Sequence, residues 1–148
     1  MAWRKRVVVL EDDPGVQRVL RDLVETEGWT TCWGESIDDV AGSLRWASVL
    51  LLDLHLPGIG GLEVLRDVRE LGLDLVVIVL SGDDEGRAEA RAAGADHVLG
   101  KPFEVAQLLA VLRGIAADAM ARDEVDVVLD VRESQTAVAD DLPWFASR

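Results

Sequence analysis

Three short, wholly apolar runs constrain this chain more than any other feature: residues 7–10 (VVVL), 49–52 (VLLL) and 75–80 (LVVIVL). Each stops at polar residues. Runs of four to six apolar residues are too short for a membrane span and lack the alternation of a half-exposed strand. They suit strands buried on both faces, which is the condition of a parallel sheet covered by helices. Weaker strand signals stand at 29–33 and 96–99.

The intervening segments carry helical spacing. Val16, Val19, Leu20, Leu23 and Val24 recur at i, i+3, i+4, i+7 and i+8, with Pro14 at the start and Gly28 at the end. Ser36 is a candidate cap for a helix over 36–46 bearing Ile37, Val40, Ala41 and Leu44. Leu62, Val64, Leu65 and Val68 mark a third helix that closes near Gly72. A fourth covers 88–93 and a fifth 104–117, with Val105, Leu108, Leu109, Leu112 and Ile115 inward. Five strands alternating with five helices predict an α/β fold: a doubly wound, five-stranded parallel sheet with helices on both faces.

At 148 residues the chain suits one main domain, expected over 1–118. Residues 119–148 form an acidic extension with seven acids and three arginines. Within it, the alternation of Val125, Val127, Leu129 and Val131 predicts a strand over 125–131. Such a strand needs a sheet edge or a second chain to pair with. Trp144 and Phe145 are candidates to dock in an apolar groove. Cys32 stands alone, which excludes an internal disulfide, and reads as a small core residue, while Trp29, Trp33 and Trp46 read as core and helix-packing residues.

The formal net charge of −13 predicts repulsion from nucleic acid and anionic lipid, so neither is an expected partner. The N-terminus has too few apolar residues for a secretory signal, and a cytoplasmic location is expected. Only two of the 15 basic residues are lysines, Lys5 and Lys101.

Ligands of doubly wound sheets bind beyond the carboxyl ends of the strands. There the sequence places Glu11, Asp12 and Asp13, then Asp53, Ser81 and Lys101. Clustered carboxylates repel unless a cation lies between them, and an all-oxygen set favours Mg²⁺. An aspartate beside a lysine and a hydroxyl suits a carboxylate nucleophile that accepts a phosphoryl group, a reaction governed by positioning and electrostatics.

The segments LEDDP, LLDLHLPGIGGLEVL, VLSG and GADHVLGKPF, in this order, closely resemble the receiver domain of two-component response regulators over roughly residues 5–118. The resemblance implies a flavodoxin-like sheet of order 2-1-3-4-5. It implies that Asp53 is the phosphoacceptor and that Glu11, Asp12, Asp53 and the backbone carbonyl of His55 hold Mg²⁺ or Mn²⁺. Asp13 then faces away from the ion. Ser81 turns toward the phosphoryl group, Lys101 pairs with it, and the Lys101–Pro102 bond is cis. His55 and Asp83 occupy positions that tune the lifetime of the phosphorylated state. The implied partners are a histidine kinase or phosphotransfer protein and a downstream protein target. A homodimer through the helix 4–strand 5–helix 5 face is a further implied assembly, and pairing of the predicted tail strand offers a second route to one.

One position departs from the family's pattern. Val98 stands where an aromatic switch residue is usual, and the chain has no tyrosine. That leaves loop movement alone, or His97 in an altered geometry, to carry the signal. The connection before the third strand also looks short. Three other readings compete. A pseudo-receiver would bind partners without being phosphorylated. A flavodoxin-like cofactor binder would need a Gly- or Ser/Thr-rich loop after the first strand, where the acids stand. An aspartyl-nucleophile phosphatase would place D-x-D there, where the sequence has EDD.

Overall fold

The computed structural model describes residues 3–129. Five strands form one parallel sheet: β1 (Arg6–Leu10), β2 (Thr30–Gly34), β3 (Val49–Asp53), β4 (Val76–Ser81) and β5 (His97–Gly100). Their spatial order is β2-β1-β3-β4-β5. The helices are α1 (Pro14–Thr26), α2 (Ile37–Val40), α3 (Gly61–Glu70), α4 (Asp84–Ala92) and α5 (Val105–Leu129).

The alternation of side chains along each strand divides the core in two. Val8, Leu10, Leu50, Leu52, Val77 and Val79 pack with Ile37, Val40, Val64, Leu65 and Val68, under α2, α3 and α4. Val7, Val9, Leu51, Ile78, Leu80 and Leu99 pack with Leu20, Val24, Leu108 and Leu112, under α1 and α5. All five residues of β3 are buried, as the central strand of a sheet covered on both faces requires. Each such aliphatic side chain contributes about 1.5–3 kcal/mol by leaving water.

Helix ends account for several differences from the expected boundaries. Asp13 caps α1, its Oδ1 accepting from the Gly15 amide at 2.8 Å and the Val16 amide at 3.2 Å. That engagement turns Asp13 away from the acidic cluster. Asp83 caps α4 by accepting from the Gly86 amide at 2.5 Å, so the helix begins four residues before the expected 88. The helix expected over 36–46 shortens to α2 and a 3-10 turn over Ala41–Ser43. Gly42 and Ser43 are poor residues for a helix interior, which accounts for the break.

The largest correction lies in α5. The helix does not stop near 117 but runs to Leu129, so residues 125–129 are helical where a strand was expected. Val125, Val128 and Leu129 also have i, i+3, i+4 spacing. Extending an existing helix adds one hydrogen bond per residue, whereas a strand must find a partner. Residues 130–131, with Trp144 and Phe145, lie outside the described residues.

Trp29 is buried, as expected of a packing residue. Trp33 instead lies on the edge strand with 38% of its surface exposed. Arg21 covers its ring, with the guanidinium carbon 4.6 Å from the ring centroid. Cys32 is partly buried, with its Sγ 3.1 Å from Ser43 Oγ.

Candidate functional site

Strand register brings the polar residues of the carboxyl rim together. Leu10 pairs with Leu52, so Glu11 and Asp53 follow one another across adjacent strands. Carboxylate oxygens of Glu11, Asp12 and Asp53 all lie within 4.8 Å of one another. Glu11 and Asp53 are buried and Asp12 is exposed. Lys101, just beyond β5, reaches back to this cluster. Its ammonium lies 2.8 Å from Glu11 Oε1 and 3.3 Å from Asp53 Oδ1.

Backbone contacts fix the acids. The Asp13 amide donates to Glu11 Oε2 at 3.1 Å. Gln17, buried on the first turns of α1, donates its side-chain amide to the Glu11 carbonyl at 2.9 Å. The His55 amide donates to Asp53 Oδ1 at 3.0 Å. The α3 start packs so tightly behind Asp53 that a side chain at Gly61 would collide with the Asp53 carbonyl and Leu54 Cα.

Burial pushes the Glu11 carboxyl above its ordinary range, and the Lys101 ammonium and Asp13 amide only partly offset this. For Lys101, burial acts downward, but Glu11 and Asp53 outweigh it and hold the ammonium above its ordinary value. Three carboxylates against one ammonium leave an excess of negative charge in a small space. Glu11 Oε1 is sealed from water, and among the described residues the Lys101 ammonium at 2.8 Å is the one partner it has. A buried charged oxygen in that condition is costly. A small divalent cation held by carboxylate oxygens relieves both conditions, so the donor set fits Mg²⁺ or Mn²⁺.

Ser81 is buried at the end of β4. Its hydroxyl is engaged within its own loop, accepting from the Asp83 amide at 3.3 Å. Gly86 stands against it; a Cβ there would lie 3.0 Å from Ser81 Oγ. The Ser81 carbonyl accepts from the Lys101 amide at 2.9 Å and from Arg87 Nη1 at 3.1 Å. The Lys101–Pro102 peptide is cis. Val98 packs against the core beneath α2, α3 and α4, on the sheet face opposite Leu99. His97 is partly buried. A cavity of about 350 Å³ adjoins Lys101, walled by Val16 and Val19 of α1 and by Pro102 and Phe103.

Glu11, Asp12, Asp53 and Lys101 are therefore in one neighbourhood, with Ser81 bonded through its carbonyl to the Lys101 amide. Gln17, Gly61, Gly86 and Arg87 were not singled out from the sequence. Gly61 had a signal in the GIGG turn. Arg87 is the one cation in the DDEGRAE stretch.

A parallel sheet of this order, with an acid cluster and a lysine on its carboxyl rim, is the arrangement of receiver folds. Residues 7–113 match the response regulator receiver domain, and the chain belongs to that family. It is 34% identical to the response regulator MprA of Mycobacterium bovis, over 84% of this chain and 60% of that protein. It is 32% identical to the cell cycle transcriptional regulator CtrA of Caulobacter vibrioides, over 86% of this chain and 60% of that one. The chain thus spans about three-fifths of the length of these curated relatives. Among solved structures, a putative response regulator from Chloroflexus aurantiacus superposes with a TM-score of 0.71 at 26% identity, covering 78% of this chain and 99% of that one. The signal receiver domain of a putative Luxo repressor protein from Vibrio parahaemolyticus shares the fold at a TM-score of 0.74, with 23% identity, covering 84% and 98%. Among the described residues, no helix is long and apolar enough to cross a membrane.

Proposed function

We propose that Asp53 accepts a phosphoryl group from the phosphohistidine of a histidine kinase or phosphotransfer protein. The observation that carries this reading is the position of Lys101, between Glu11 and Asp53 at 2.8 and 3.3 Å. In the transfer, an Asp53 carboxylate oxygen attacks phosphorus, the phosphorus–nitrogen bond breaks, and the released imidazole takes up a proton.

A divalent cation held by Glu11, Asp12, Asp53 and the His55 carbonyl supplies charge neutralisation for the transferred oxygens. Lys101 supplies the second positive charge. Its ammonium is pre-placed, so little reorganisation is needed as negative charge shifts toward Asp53. Ser81 turns its hydroxyl from the Asp83 amide toward the phosphoryl oxygens, drawing its loop inward. His55 and Asp83, flanking the mouth, set the lifetime of the acyl phosphate.

The chain acts as a phosphoprotein switch rather than a turnover enzyme. Phosphorylation shifts an existing equilibrium of the face made by α4, β5 and α5, and that face engages a downstream protein or a second copy. The net charge of −13 argues against direct contact of this chain with nucleic acid or anionic lipid. The intact acid cluster and its lysine favour this reading over a pseudo-receiver.

The test is incubation with Mg²⁺ and acetyl phosphate, followed by intact-mass measurement. Wild type is expected to gain one phosphoryl group and Asp53→Asn none. No gain by wild type, or equal gain by both, overturns the proposal.

A further inference from the structure

We propose that Arg87 is the positioning residue that couples Ser81 to α4 and β5, through a fork that ties the Ser81 carbonyl to Asp84 across Gly100. The inference rests on the phosphoacceptor reading of Asp53 and assigns the link by which its state leaves the site.

Ser81 and Gly100 are register partners at the ends of β4 and β5. Arg87 comes from α4 and spans this pair. Its Nη1 donates to the Ser81 carbonyl at 3.1 Å, and its Nη2 pairs with Asp84 in the first turn of the same helix. A Cβ at Gly100 would lie 3.2 Å from Nη1 and would press the guanidinium aside by a few tenths of an ångström, so the bare strand end gives it room. Only 23% of the Arg87 side chain is exposed, which restricts its alternatives. Gly86, its chain neighbour, stands against the Ser81 hydroxyl.

One side chain therefore meets the end of β4, the start of α4 and the end of β5. Val98, two residues before Gly100 and on the same sheet face, is too short to span that distance. A guanidinium is planar and its donors keep fixed angles, so displacing the carbonyl at one end reorients the group at the other. When the Ser81 loop is drawn toward Asp53, the carbonyl moves with its peptide. The fork then carries that motion into Asp84 and the first turn of α4. A simple cap on a strand-end carbonyl would need neither the Asp84 pair nor the bare Gly100.

The test uses amide NMR spectra of the full chain with Mg²⁺, before and after addition of beryllofluoride. In wild type, shifts are expected at 53–55 and 81–83 and also at 89–92 and 97–98. In Arg87→Ala the first group is expected to persist, while the second falls by about half or more. Arg87→Lys keeps the charge beside Asp84 but not the fork, and is expected to match the alanine variant. Full transmission in either variant overturns the inference while leaving Asp53 as phosphoacceptor. A wild type without any response overturns the phosphoacceptor reading, and this inference with it. If Arg87→Ala does not give a folded spectrum, Arg87→Lys carries the test with the same two outcomes.

Discussion

His55 Nε2 faces Asp83 Oδ2 at 3.5 Å, joining the residue two beyond Asp53 to the residue two beyond Ser81. Both side chains are largely exposed, at 68% and 52%, so they stand at the mouth of the site. Asp83 is held as a carboxylate: the Gly86 amide, with His55 adding to it, keeps its carboxyl below the usual range despite some desolvation. If Asp53 carries an acyl phosphate as proposed, a pair bridging the mouth would hinder in-line approach of water. His55→Ala and Asp83→Ala are each expected to shorten the phosphoryl half-life several-fold. The check is the decay of phosphorylated protein after removal of the donor, and an unchanged half-life in both variants removes the pair from that role.

The acid cluster is under repulsion without a cation. Asp12→Asn is expected to raise the thermal midpoint in chelator, by a stabilisation of about 1 kcal/mol, because one of three crowded charges is gone. Wild type is expected to shift upward in millimolar Mg²⁺ through preferential binding to the folded state, and the same change is expected to abolish that shift. Differential scanning calorimetry with and without Mg²⁺ decides this. A wild type indifferent to Mg²⁺ would argue against the cluster as a metal site.

Gly61 lets the start of α3 lie directly behind the Asp53 carbonyl. Gly61→Ala sets a Cβ against backbone, which cannot yield as a flexible side-chain end would. A loss of about 1–3 kcal/mol is expected from overpacking, with weakened Mg²⁺ binding because Asp53 shifts. Urea midpoints and a Mg²⁺ titration of the variant measure the two effects. Wild-type values for both would show that the turn relaxes without moving Asp53.

Glu27, past the end of α1, receives both Arg113 Nε and Nη2 at 2.8 and 2.9 Å. These bonds hold the Glu27 carboxyl below its usual range, against a smaller opposing effect of desolvation. A carboxyl depressed in the folded state contributes stability at pH above its unfolded value. That contribution fades as pH falls through the folded value. Arg113→Ala is therefore expected to lose stability at neutral pH but little once pH lies below the depressed folded value. Urea midpoints at the two pH values test it, and an equal loss at both would show that the pair acts by packing alone.

The sheet was legible because each central strand is a short apolar run ended by a polar residue, a pattern that admits few other structures. Glu11, Asp53 and Ser81 were legible for the same reason, since each directly follows such a run, whereas Lys101 follows the weaker strand at 96–99 and stood out as one of only two lysines. The interior of 36–46 was less so, because Ile37, Val40, Ala41 and Leu44 keep helical spacing through Gly42 and Ser43, where the backbone tightens. Residues 125–129 satisfy both periods, and the choice between them is made by the helix already running into them. Arg87 carried no local signal of its role, because its partners Ser81 and Gly100 meet only through strand register. Trp33 was misjudged as interior because a single sequence does not say that its strand lies at the sheet's edge.

The length of α5 bears on how such a switch can be wired. Its start lies beside the lysine turn, and its Arg113 already meets the far end of α1. Its 25 residues extend about 37 Å, against about 17 Å for a five-residue strand. The helix thus outruns the layer it lies on and leaves from the pole opposite the chemistry. If Asp53 is phosphorylated as proposed, a partner seated on the far end of α5 would sense it as a change in the tilt or seating of a handle rather than as a charge within reach.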